Sequence, residues 1–549
     1  MNKNLKIAVL GAGMSGMAMG HSLIRAGFTN FTIYEKADRV GGTWRENIYP
    51  GVACDVPSHL YSFSFERNPD WSEAFSSGSE IQQYCEATAK KYGLFTHCAF
   101  NRVLTHARHE NGIWHLDFAK GEPETADVVV SAMGGLHEAQ TPEFKGQNKF
   151  KGPSFHTAQW DQNIDLTNKR VAIIGSAASA VQIIPEIIDK VAHLDLYQRT
   201  PNWILPRMNK KYSSWRKWLH RKLPISSLVL RGLIYLRFEM LIRAFFADSF
   251  MQRRMQKMAV QHLKDSVADS ELRAKLTPDY QLGCKRILFI DGYFEAIQRP
   301  HAELVTNGIS EITKSSIVSQ DGTERDTDAI IYATGFKPFN FLAKFGVTGP
   351  GGQDLAETWA EGITSHRSVA ISGFPNFFML LGPNSGLGHN SVIIMIEAQV
   401  RYITELVKGL AKEGLGYVEP KPDAQKAFTE NIQAGLEGKV WTSGCQSWYQ
   451  DGVGPNHTLW PHSTIRFIRE MKMPDLSEYN HGRNHDAAES RLMPLIGTAS
   501  FACARRAWEC HMAARHQLPT PALAKHRHLH AGQLHAHAVG VPCCRAQQY

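Results

Sequence analysis

The chain is 549 residues long, 43% apolar and 20% charged, with 12 Trp and 27 Phe; this excludes a disordered protein and leaves room for two or three packed cores. Its formal charge of +8 is no nucleic-acid footprint, because Arg491, Arg505, Arg506, Arg515, Lys525, Arg527 and Arg545 face the single acid Glu509 in the last stretch, and the rest is nearly neutral. Nine cysteines (Cys54, Cys85, Cys98, Cys284, Cys445, Cys503, Cys510, Cys543, Cys544) show neither zinc-ligand spacing nor the density of a small secreted domain, and are expected as free thiols in a reducing cytoplasm.

The first element is a short buried strand over Leu5 to Leu10, whose apolar core is too short for a signal peptide. It runs into Gly11-Ala12-Gly13-Met14-Ser15-Gly16 and then a helix to Ala26. In such a G-x-G-x-x-G loop the first glycine makes the turn, the second lets backbone approach a pyrophosphate, and the third packs helix on strand. A second strand, Phe31 to Tyr34, ends in Glu35, placed to accept hydrogen bonds from a ribose diol. Glycine-rich turns also occur in ligand-free βαβ units, but strand, loop, helix and terminal acid together point to an adenine dinucleotide without a 2′-phosphate. Ala126 to Met133 reads as a strand returning to this sheet.

The unit recurs with changed chemistry. Val171 to Ile174 is a strand, Gly175-Ser176-Ala177-Ala178-Ser179-Ala180 the loop, Val181 to Lys190 the helix, and His193 to Tyr197 the next strand, followed by Gln198-Arg199-Thr200. Arg199 stands as far from Gly175 as Glu35 from Gly11, and an arginine there favours the 2′-phosphate of NADPH. Ala177 and Ala180 replace the second and third glycines, and the methyl of Ala177 crowds the pyrophosphate. Arg207 to Leu282 reads as a helical insert. Its longest apolar stretch, Ile225 to Phe246, is broken by Arg231, Arg237, Glu239 and Arg243, which argues against a membrane span and for an insert with some surface-active face. Asp328 to Phe336 is expected, like Ala126 to Met133, to return to the first sheet.

The fold class is therefore α/β, with two nested Rossmann-like dinucleotide-binding domains and a helical insert. The expected boundaries are 1–145 for the first part of an FAD domain, 150–335 for an NADPH domain with its insert at about 207–282, and 336–480 for the returning part of the FAD domain. Residues 481–549, with His526, His528, His530, His535 and His537 close together, form an atypical tail, read as a poorly ordered extension rather than a metal-binding segment.

Disulfide reductases share this architecture but need paired redox cysteines beside the flavin, and none lies near either loop. Phe150-Lys151-Gly152-Pro153-Ser154-Phe155-His156-Thr157-Ala158-Gln159-Trp160-Asp161 resembles the F-x-G-x-x-x-H-x-x-x-W-[PD] fingerprint of type I Baeyer-Villiger monooxygenases. Gly41-Gly42-Thr43-Trp44 through Tyr49-Pro50-Gly51 to Asp55 resembles that family's other signature, and Gly283-Cys284-Lys285-Arg286 its Gly-x-Lys-Arg stretch; the likeness spans roughly residues 5 to 480. The resemblance implies oxidation of a small-molecule ketone by molecular oxygen to an ester or lactone, through a flavin C4a-peroxide stabilised by Arg286, with Asp55 orienting that arginine. It implies FAD on Gly11, Gly13, Ser15, Gly16, Glu35, Gly42, Thr43, Trp44, Asp55, Tyr61 and Val103. NADPH falls to Gly175, Ser176, Ala177, Ser179, Ala180, Gln182, Arg199, Thr200, Lys285, Arg286 and Trp448. Phe150, Gly152, His156, Trp160 and Asp161 would couple domain movement, with His156 mainly structural. Gly382-Pro383-Asn384 and Gly388-His389-Asn390-Ser391 look like the family's late return beside the flavin.

Blander readings stand beside these: a solvated surface for Lys285-Arg286, a turn or cap for Asp55, core packing for Trp448. Two other functions also remain open, a flavin-containing monooxygenase acting on nitrogen or sulfur and a non-oxygenating FAD/NADPH-binding protein. No nucleic-acid partner and no integral membrane association are expected, and the location is cytoplasmic.

Overall fold

Two parallel five-stranded sheets organise the computed structural model, which describes residues 4–136, 138–337, 345–445 and 456–483. In the first, the strands are ordered Phe377–Met379, Val128–Ser131, Ile7–Leu10, Phe31–Tyr34 and Cys98–Ala99. Ile7–Leu10 and Val128–Ser131 are buried along their whole length, which is why they read as unbroken apolar runs rather than as alternation. The helix Met14–Ala26 packs between this sheet and the long helix Val392–Glu413.

The second sheet is ordered Ala302–Val305, His193–Tyr197, Arg170–Ile174, Ala329–Tyr332 and Ser154–His156. The strand within Asp328 to Phe336 thus corrects the expectation: it pairs with Arg170–Ile174 and closes the second sheet instead of returning to the first. The four apolar residues of Ala329–Tyr332 fit a buried strand of either sheet, so the sequence pattern could not choose its partners. The return to the first sheet is made later, by Phe377–Met379. The second sheet is accordingly inserted in the chain between strands of the first. The two connecting segments run side by side, with the Gln140 N–H donating to the Gly335 carbonyl at 2.9 Å and the Lys337 N–H to that of Glu138 at 3.0 Å.

The insert after Arg207 is helical, with Ser214–Lys222, Pro224–Met240, Phe250–Ser266 and Ser270–Leu276. Cysteines are not all free thiols: Cys284 and Cys445 form a disulfide across a Cα–Cα distance of 6.4 Å. Their sequence separation of 161 hides the pairing from any spacing rule. Cys54, Cys85 and Cys98 are free, as expected. Trp448 and the tail beyond Arg483, with its histidines, lie outside the described residues.

The two glycine-rich units meet closely at Gly51. Its φ is +77°, and a Cβ there would sit 2.3 Å from the carbonyl oxygen of Gln182 on the helix Ala178–Ile187. Tyr49 donates to Gln182 Oε1 at 3.0 Å, and Gln182 Nε2 donates to the Ala53 carbonyl at 3.0 Å. Gly51→Ala is expected to destabilise the fold by about 2–4 kcal/mol in denaturant titrations, from backbone strain plus collision. Gly93→Ala, with φ +67° but no atom within 4 Å, is the control and should cost only the backbone part, about 1 kcal/mol. Equal losses would show that the approach at Gly51 is not tight.

Candidate active site

The carboxyl ends of both sheets open on one cavity of about 1800 Å³, lined by both glycine-rich loops. Open α/β sheets place ligands at this end of their strands. Helices Met14–Ala26 and Ala178–Ile187 begin there with Gly13 and Ala177 at their N-caps, and neither has a side chain capping its first N–H groups. Gly78–Lys91, Phe250–Ser266 and Val392–Glu413 are instead capped by the side chains of Ser77, Ser249 and Ser391. Helix N-termini left without a capping side chain and facing a cavity are suited to a pyrophosphate, which completes the donors that a cap would otherwise satisfy.

On the first side, Gly42 lies against Gly13 so closely that a Cβ on Gly42 would come within 2.9 Å of the Gly13 Cα. Gly11, Gly13, Ser15, Glu35, Gly42, Thr43, Trp44, Asp55, Tyr61 and Val103 all line the cavity. Gly16 does not; it packs under the loop, where a Cβ would lie 1.9 Å from the Gly11 carbonyl oxygen. Glu35 is buried and fixed, accepting from the N–H of Ala12 at 2.8 Å, the N–H of Ala37 at 3.0 Å and Arg45 Nη2 at 3.1 Å. Arg45, a buried cation directly after Thr43-Trp44, was missed in the sequence reading. It steadies Glu35 and also donates to Glu46. A carboxylate has about four acceptor sites, so Glu35 can still take a ribose hydroxyl. The residues present fit an adenine dinucleotide here.

On the second side Gly175, Ser176, Ala177, Ser179, Gln182, Arg199, Thr200 and Lys285 line the cavity, whereas Ala180 is buried in the core behind it. Ala180 thus occupies the close-packing place of the third glycine. Asn202, also missed, donates to the Ser176 carbonyl at 3.0 Å and holds the loop. Burial and then the charge of Arg199 push the pKa of Lys285 down, with Asp279 acting the other way. Two neighbouring cations on the cavity wall suit an anion, and a 2′-phosphate fits there.

Asp55 and Arg286 meet in the cavity between the two loops. Arg286 donates from Nε to Asp55 Oδ2 at 3.0 Å and from Nη2 to Oδ1 at 2.7 Å and Oδ2 at 2.6 Å. That two-pronged pair joins residues 231 apart in sequence and fixes the plane of the guanidinium. Cys284, next to Lys285, is buried and does not line the cavity.

None of Phe150, Gly152, His156, Trp160 and Asp161 lines the cavity. His156, 2% exposed, accepts from the Ala158 N–H at 3.1 Å, and burial pushes its pKa down. Its ring stands edge-on to Phe336, which does line the cavity. Trp160 packs edge-on to Phe155, and Asp161 accepts from the Asn163 N–H at 2.9 Å in a turn. Of the late segment, Leu381, Leu387 and Asn390 reach the cavity, whereas Gly382, Asn384, Gly388 and His389 support it from behind.

The flavin-binding monooxygenase-like family model matches residues 4–347. A Baeyer-Villiger monooxygenase of Streptomyces coelicolor is 41% identical over 483 residues, covering 87% of this chain and 93% of that protein. The structure of cyclohexanone monooxygenase from Rhodococcus sp. Phi1 bound to NADP+ superposes with a TM-score of 0.78 at 25% identity, over 87% of this chain and 99% of that one. The complex of OTEMO with FAD and NADP superposes with a TM-score of 0.78 at 26% identity, over the same shares.

Arg199→Ala and Lys285→Ala should each raise KM for NADPH about 10- to 100-fold while leaving KM for NADH within about twofold, since only NADPH carries the extra phosphate. Because the Lys285 pKa is depressed, its charge is lost at a lower pH than an ordinary lysine's. KM for NADPH should therefore climb on the alkaline side before an exposed lysine would titrate, and Lys285→Arg should remove that climb. A flat profile in the native enzyme would detach Lys285 from the phosphate.

Proposed function

The chain belongs to the flavin-binding monooxygenase-like family, and we propose that it is a Baeyer-Villiger monooxygenase that uses FAD, NADPH and molecular oxygen to convert a small ketone to an ester or lactone. The observation that carries this reading is the Asp55–Arg286 pair, set in a single cavity between two dinucleotide cradles. Residues 1–145 and 336–480 form the FAD-binding part and 150–335 the NADPH-binding part. Together the bound cofactors supply two-electron reduction and oxygen activation, with one oxygen atom going to product and the other to water.

The chain's own residues have separable tasks. The loops at Gly11 and Gly175 hold the two pyrophosphates on helix N-termini. Glu35 takes the ribose diol of one adenosine, while Arg199 and Lys285 take the 2′-phosphate of the other. Arg286 is the residue we assign to catalysis: its permanent charge, on the wall of the cavity between the two cradles, would stabilise negative charge on oxygen there. Asp55 is a positioning residue that locks the guanidinium against rotation, at the cost of offsetting part of its charge. His156 braces the turn at Gly335 and Phe336 from outside the cavity and moves no proton. The cytoplasm, where NADPH is regenerated, is the compartment this chemistry calls for.

Incubating the FAD-loaded enzyme with NADPH, oxygen and linear, cyclic and aryl ketones should give products one oxygen atom heavier, read by mass. Oxygen transfer only to sulfides and amines would replace this reading with the nitrogen- and sulfur-oxidising one. Arg286→Ala should lower ester formation by about 100- to 1000-fold while NADPH oxidation continues and hydrogen peroxide accumulates. Asp55→Ala should lower ester formation less, about tenfold, and shift the loss onto coupling rather than onto NADPH binding. Ester formation near the native rate in Arg286→Ala would remove that residue from the reaction.

A further inference from the structure

We propose that the helix Pro224–Met240 and the segment before it dock this enzyme on the surface of an anionic lipid bilayer. The helix is apolar over most of its circumference. Ile225, Leu228, Val229, Leu233, Leu236 and Met240 are each between 48% and 62% exposed, and their spacing of three and four residues puts them on one stripe. The inward side holds the half-buried Leu230, Ile234 and Phe238 together with polar anchors. Ser227 and Glu239 are buried, and Arg231 Nη1 donates to the carbonyls of His59, Leu60 and Ser62 at 2.8, 3.2 and 2.9 Å. Glu239 accepts from Asn390 Nδ2 at 2.9 Å and from the Thr464 hydroxyl at 2.5 Å. A surface helix of a globular protein keeps its outward side polar; here that side is apolar as well, and among the described residues none covers it.

The neighbouring chemistry selects the occupant. Trp215 and Trp218, 67% and 51% exposed, precede the stripe on the helix Ser214–Lys222, beside the exposed Arg221 and Lys222. Residues 207 to 258 hold thirteen Lys and Arg against two acids, and one of those acids, Glu239, is turned inward. A second copy laid symmetrically on this patch would bring like charges together around the apolar stripe. An anionic bilayer takes both parts at once, the stripe into the acyl boundary, the tryptophans at headgroup level and the cations on lipid phosphates. No helix among the described residues is long and apolar enough to cross a membrane, so this helix of 17 residues lies in the plane of the surface.

The test is flotation of full-length, FAD-loaded enzyme with vesicles of phosphatidylcholine alone and with about one-third phosphatidylglycerol added. The enzyme should float with the anionic vesicles, much less with the neutral ones, and less as salt rises. Leu233→Ser/Leu236→Ser and Trp215→Ser/Trp218→Ser should each cut the bound fraction about tenfold with flavin content and NADPH oxidation unchanged. No flotation with anionic vesicles overturns the proposal, as does equal flotation of the variants, which would assign lipid binding to some other basic part of the chain. A dimer in sedimentation analysis that these substitutions dissolve, without vesicle binding, would assign the stripe to a second copy.

Discussion

The packing of residues 49–55 against the second unit sets where everything at the site lies. This stretch leaves the first glycine-rich unit, passes over the helix Ala178–Ile187 and ends at Asp55 on Arg286. Gly51 lets the backbone sit against Gln182, Gln182 bonds to both Tyr49 and Ala53, and Asp55 then reaches the guanidinium with both oxygens. A bulkier residue at Gly51 would lift the stretch from the helix and carry Asp55 with it. The orientation of Arg286 is thus a consequence of backbone packing several residues upstream of Asp55.

Within that frame, the two nucleotide sites differ by charge at one equivalent place. Glu35 sits at its strand end held by two N–H groups and Arg45, whereas the second unit has Arg199 with Lys285 nearby. At an effective dielectric of about 20, unit charges 4 Å apart interact by about 4 kcal/mol, enough to decide which adenosine goes where even when both pyrophosphate loops are alike. On the reading proposed above, NADPH is told from other dinucleotides at Arg199 and Lys285 rather than at the loop, so the methyl of Ala177 matters less than its place implied.

Much of this was legible in the sequence because it is local. Strand, glycine loop, helix and terminal residue follow one another within about 25 positions, so spacing alone located both cradles and their opposite charges. The fingerprint residues were found by their motif, yet the motif did not tell that they stand outside the cavity, where His156 packs against Phe336 of the turn that lines it. What escaped depends on distance in the chain. The strand Ala329–Tyr332 was assigned to the wrong sheet because four apolar residues carry no partner information, and Cys284 with Cys445 gave no spacing signal. Arg45 was hidden for another reason: a charged side chain beside a glycine motif reads as solvated surface, and only its burial against Glu35 shows otherwise.

The insert shows the same dependence in a form that joins surface to site. Its apolar period was visible, but a period fixes only that one side of a helix is apolar, not which way that side points. Direction is set here by polar contacts. Arg231 satisfies three carbonyls of the turn at His59 to Ser62, close in sequence to Asp55, and Glu239 bonds to Asn390, whose side chain belongs to the cavity wall. Leaving those carbonyls and that amide buried without partners would cost about 1–3 kcal/mol each, so this rotation of the helix keeps them satisfied. The helix thus anchors itself to the site through Arg231 and Glu239 and leaves an apolar stripe outward, so that whatever binds the stripe bears on the same helix that props the cavity wall.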